Sequence, residues 1–125
     1  MLTPALRYPL AIALGAIAGA LSRYYISMWF MDRFGLDFPY GTMFINLSGC
    51  LIMGFLISLF GQRTEPIAPE VQMLITTGFL GSFTTFSTYS LESESLFEQA
   101  RLTLGIFYWL GTATAGFVFV QIGIW

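Results

Sequence analysis

Four apolar stretches follow one another along the chain, each closed by a short polar segment. They run over residues 8–30, 41–60, 71–99 and 102–124. A helix needs about 20 apolar residues to cross the hydrocarbon core of a bilayer. The pattern therefore predicts an all-α membrane protein with four transmembrane helices, the third longer than a bilayer requires.

Polar residues inside these stretches carry the next layer of information. The first span holds Gly15 and Gly19 at GxxxG spacing, which lets a neighbouring helix approach closely. Arg23 stands near its far end, as a snorkelling interface cation or as a functional group. The second span contains Asn46, whose amide needs partners in hydrocarbon, either as helix glue or as the lining of a polar path. The intervening segments 31–40 and 61–70 read as loops, with Gly35 in one and Pro66 and Pro69 in the other. The fourth span includes Tyr108 and Thr112. Trp29 and Trp125 fall near span ends, where interfacial aromatics belong, whereas Trp109 lies deeper and is expected to pack.

The third span is the unusual one. It is apolar to Leu80 and acidic from Glu92, and between them residues 78–90 read GFLGSFTTFSTYS. Six hydroxyl residues fall between Ser82 and Ser90, more than a membrane helix absorbs by bonding back to its own carbonyls. Gly78 and Gly81 weaken helix propagation just before them, so the run predicts a helix broken mid-membrane near residues 78–84. Such backbone is tolerated only when buried in protein or lining a wet cavity. A break frees carbonyls, which suit a cation, and N–H groups, which with hydroxyls suit an anion. Phe83, Phe86 and Tyr89 recur every third residue among the hydroxyls. The positive ring edge of an aromatic can rest against a small anion, though the spacing alone favours a packing stripe.

Composition supports the membrane reading. Of 125 residues, 56% are hydrophobic and 10% charged, with a mean hydropathy of +0.74. Soluble domains carry about 25% charged residues. The apolar character of the first span continues through Tyr24 to Phe30, beyond a short signal core, which favours a retained helix. The net charge of −2, without Lys and without a basic patch, gives no reason to expect a nucleic-acid partner. One Cys and no His argue against haem, iron–sulfur and zinc sites. No nucleophile–base pair suggests an enzyme. Counted by side, Arg7 and Arg63 oppose Arg33 and Arg101, with Arg23 joining the latter if it reaches the surface. So even a balance sets almost no orientation. It permits insertion both ways, and hence an antiparallel homodimer, as readily as one fixed topology.

Three motifs together resemble the Fluc (CrcB) family of fluoride channels: GAIAGALSRYY at 15–25, YGTMFINLSG at 40–49 and GFLGSFTTFSTYSLE at 78–92. The resemblance covers nearly the whole chain, in order. It implies a fluoride-selective channel for passive export across the bacterial cytoplasmic membrane. The implied assembly is a dual-topology antiparallel homodimer with two pores and a central structural sodium ion. Asn46, Phe86, Ser87, Thr88, Tyr89, Ser90 and Glu92 are implied for the fluoride pathway, with Tyr108 and Thr112 from the fourth span. Arg23 is implied for the vestibule, and the backbone carbonyls of Gly81 and Thr84 for sodium. Tyr89 departs from the family pattern, which has a second Phe there; its O–H would donate to the anion or alter its route.

The alternative is a small multidrug-resistance-type proton-coupled transporter, another four-span antiparallel dimer. Such carriers use an ionisable carboxylate inside a span. The first span has none, and the acids cluster after residue 91. A membrane scaffold, with the hydroxyl run as helix glue, is a third reading.

Overall fold

The computed structural model describes residues 2–125. Helix α1 spans Pro4–Phe34 and α2 spans Tyr40–Gln62. A short helix α3, Pro69–Met73, passes into a π-helical segment, Leu74–Leu80, and then into α4, Gly81–Phe83. Two extended residues follow before α5, Phe86–Glu98, and α6, Leu102–Ile124, completes the chain. No strand occurs among the described residues.

The ends of these helices follow from local chemistry. Pro4 and Pro69 stand in first turns, where the missing N–H is no loss. Gly35, at φ +76°, closes α1 and sends its N–H to the Met31 carbonyl. The sharp α5–α6 turn is a Schellman motif: Arg101 N–H reaches Leu96 O and Ala100 N–H reaches Phe97 O, both at 3.0 Å. Ala100 takes the left-handed position usually given to glycine, at φ 57°.

Three helices, α1, α2 and α6, are long and apolar enough to cross a membrane. The run from Pro69 to Glu98 is divided into segments of which the longest, α5, has 13 residues, so none is by itself long enough to cross. Lipid rather than water explains the surface. Leu6, Leu10, Leu14, Ile17 and Leu21 form one exposed stripe along α1, and α6 exposes Ile106, Phe107, Leu110 and Phe117. Trp109, expected to pack, does so on one side only: it meets Phe97 edge-on and is 49% exposed.

Glycine sets the two closest helix contacts. Gly15 and Gly19 of α1 lie against the backbone of the π-helical segment, where a Cβ would strike the carbonyls of Leu74 and Phe79. Gly78 answers from the other side, with the Ile12 carbonyl 2.6 Å from where its Cβ would sit. Gly54 of α2 and Gly123 of α6 press on each other's helices in the same way, against Val120 and Leu51. Two small cores form between these contacts: Ile45, Leu80 and Phe83 in one, Phe38, Tyr89, Leu96 and Tyr108 in the other.

The expected interruption near 78–84 falls at its far edge. Gly78 and Gly81 are themselves helical, and the non-helical residues are Thr84 (φ −78°, ψ 155°) and Thr85 (φ −148°, ψ 113°). Gly78 serves close packing rather than a break. The interruption sits where β-branched hydroxyl residues offer their own hydrogen bonds in place of helical ones.

Candidate functional site

The interruption is held by side chains from three directions. Asn46, on α2, donates from Nδ2 to the Thr85 carbonyl at 3.1 Å and accepts the Thr85 N–H on Oδ1 at 2.8 Å. One amide therefore satisfies both backbone groups of a single non-helical residue, leaving one Nδ2 hydrogen free. Thr85 in turn caps α5, its Oγ1 accepting the Thr88 N–H at 3.3 Å and donating to Thr88 Oγ1 at 3.1 Å. Arg23 reaches across from α1, donating from Nε to the Ser82 carbonyl at 3.0 Å. Thr84 folds back, its N–H and Oγ1 both bonding the Leu80 carbonyl. The Gly81 and Thr84 carbonyls find no hydrogen-bond partner among the described residues.

Two clefts adjoin this region. One, of about 360 Å³, is lined by Asn46, Thr84, Thr85, Phe86, Tyr89 and Thr112, with Cys50 and Gly116 at its α2 and α6 walls. It contains no charged side chain. Thr112 is buried, and its Oγ1 has no partner. The other cleft, of about 380 Å³, is lined by Thr42, Thr88, Glu92, Ser95 and Gln99, with residues 35–40 forming one wall.

Between the clefts, α5 and α6 exchange hydroxyl bonds. Tyr89 of α5 donates to the Trp109 carbonyl of α6, and Tyr108 of α6 donates to Glu92 Oε2 of α5 at 2.8 Å. Thr42 gives Glu92 a second donor, to Oε1, also at 2.8 Å. Glu92 is thus held by two hydroxyls and, among the described residues, by no cation. The tyrosine rings lie 5.4 Å apart, and Tyr108 is fully buried.

The structure therefore gathers Asn46, Phe86, Tyr89 and Thr112 into one cleft and Thr88 and Glu92 into the other, with Tyr108 between them. Ser87 and Ser90 lie exposed on α5 and line neither. Phe86 is 78% exposed, its ring 5.6 Å from that of Tyr89. The Tyr89 hydroxyl, weighed above as an anion donor, is committed to the α6 backbone. Thr42 and Thr85 escaped the sequence reading. Thr42 stands one helical turn before Asn46, a spacing that marks a shared face. Thr85 belongs to the hydroxyl run but gives no sign of being its break.

Comparison with known proteins gives one consistent result. A family model described as "CrcB-like protein, Camphor Resistance (CrcB)" matches residues 10–124. A protein of Trichormus variabilis is 54% identical over 121 residues, covering 97% of this chain and 88% of its own. One from a Synechococcus species is 53% identical over 124 residues, covering 99% and 95%. One from a Synechocystis species is 48% identical over 120 residues, covering 94% and 90%. Each of the three is named "Fluoride-specific ion channel FluC".

Proposed function

Because the chain belongs to the CrcB family, we propose that this integral, multi-pass membrane protein is a fluoride-selective ion channel. It lets fluoride leave the cell passively across the bacterial cytoplasmic membrane. The observation that carries the reading beyond the names of relatives is the cleft at the interruption. It has no carboxylate to repel an anion, and it offers the spare Asn46 N–H, the unpartnered Thr112 hydroxyl and the rings of Phe86, Tyr89 and Phe117.

Fluoride is small and strongly hydrated, so stripping its water is costly unless donors replace it. The cleft residues supply such donors and positive ring edges. Thr42, Thr88, Tyr108 and Glu92 carry the path on along α5. Binding spread over several weak contacts lets the ion move on. From an acidic medium fluoride enters as neutral HF and dissociates in the less acidic interior, so the accumulated anion can leave down its own gradient without a pump.

In this reading the run Pro69–Glu98 is a third membrane crossing broken at Thr84–Thr85, giving four per subunit. Two copies pair antiparallel, as the near balance of Arg between the two sides permits. The residues also fit the structural sodium ion that the family implies. The Gly81 and Thr84 carbonyls, left without hydrogen bonds, are hard oxygen donors of the kind sodium takes. Sodium bound there would neutralise carbonyl charge beside the anion path.

A proton-coupled multidrug carrier is less well supported. Its carboxylate would have to be Glu92, already bonded to Thr42 and Tyr108 beside a path lined with hydroxyls. Purified protein in liposomes decides between them. Fluoride efflux read by a selective electrode, without matching chloride efflux or proton coupling, is the expected result. Drug transport driven by a pH gradient, without fluoride current, would overturn it.

A further inference from the structure

The end of the molecule where α1 closes carries a cation with no protein acceptor. Arg7 is ion-paired with Glu70 at 2.9 Å, Arg23 bonds the Ser82 carbonyl, and Arg101 bonds the Asp37 carbonyl. Arg33 is exposed, in the last turn of α1, with neither ion pair nor hydrogen bond among the described residues. Its guanidinium carbon instead lies 5.3 Å from the centre of the Trp29 ring. A cation–π contact with the ring claims none of the guanidinium N–H donors.

The surroundings fix the depth at which those donors stand. Trp29 is 51% exposed and Phe34 53%. With Phe30, Tyr40 and Phe44 they form a continuous aromatic cluster across the ends of α1 and α2. Exposed Trp and Tyr at span ends belong at the headgroup level of a bilayer. We propose that Arg33, over the Trp29 ring, is a binding site for the phosphate of one anionic phospholipid headgroup, whose acyl chains lie along the aromatic cluster. A planar fork of N–H donors matches a phosphate better than a point charge does. The recognition is local: Asp32 and Asp37 offset Arg33 and Arg101 at this end, so no diffuse polybasic attraction is available. Among the described residues Arg63 has neither an acceptor nor a ring beneath it, and makes the natural control.

The inference needs the protein only to be embedded in a membrane, not to conduct fluoride. Protein purified in detergent with equal amounts of phosphatidylglycerol and phosphatidylcholine is examined by native mass spectrometry. The wild type retains phosphatidylglycerol preferentially, Arg33→Gln lowers that retention about fivefold, and Arg63→Gln leaves it unchanged. Millimolar inorganic phosphate does not displace the lipid. Retention unaffected by Arg33→Gln, an equal loss in Arg63→Gln, or displacement by free phosphate would each overturn the assignment.

Discussion

Asn46 bonds both backbone groups of Thr85, donating to its carbonyl and accepting its N–H, so one side chain does the work of two missing helical hydrogen bonds. The residue expected to meet the ion is also the one that holds the break open. Asn46→Asp keeps the acceptor for the Thr85 N–H but sets a carboxylate oxygen against the Thr85 carbonyl and beside the anion path. Fluoride efflux from liposomes should fall at least tenfold. Asn46→Ala leaves both groups unpaired and should cost about 2–4 kcal/mol of stability, read as lost thermal resistance in detergent.

Phe86 separates function from folding in the opposite way. It is 78% exposed in the subunit, so Phe86→Ile should change subunit stability by less than about 0.5 kcal/mol. Efflux should nevertheless drop sharply, because the isoleucine side chain has no ring edge. Unchanged flux would take Phe86 off the path.

Tyr89→Phe tests whether the phenol serves the ion. Its hydroxyl is bound to the Trp109 carbonyl, so its removal should loosen the α5–α6 seam by about 1 kcal/mol. Fluoride efflux should stay within about twofold, since the Asn46 amide and the Thr112 hydroxyl remain. A large fall in flux without a fall in thermal stability would put the hydroxyl in contact with fluoride.

Gly54→Leu should fail outright. Its Cβ alone would strike the Val120 carbonyl, and backbone on α6 cannot move aside as a flexible side chain can. Overpacking of this kind costs about 1–3 kcal/mol, and more where backbone must shift. The expected readout is aggregation or a lost monodisperse peak on size exclusion.

Dual topology is checked independently of conduction. A tag on the C-terminus should be found on both sides of the membrane in comparable amounts. Accessibility from one side alone would remove the antiparallel pair.

Much of this was legible in the chain. The apolar stretches gave the α1, α2 and α6 helices within a few residues, because lipid-facing helices advertise themselves by composition. The hydroxyl run pointed to an interruption. Its exact seat was hidden, since Gly78 looks like a helix breaker and is in fact a contact surface for Ile12 of α1. Thr85 finds its partner in Asn46, 39 residues earlier in the chain. The fate of the Tyr89 hydroxyl was equally hidden, for it depends on which turn of α6 lies opposite. Local sequence reports neither long-range partner.

The wide turn at Leu74–Leu80 has its own consequence. A π-helical turn amounts to one surplus residue wound into an ordinary helix, and each helical residue advances the chain by about 100°. Deleting one residue there would let the segment relax to standard winding while the chain after it keeps nearly its present phase. Thr85 would still face Asn46, whereas the same deletion from an evenly wound α-helix would turn the following residues by about 100°.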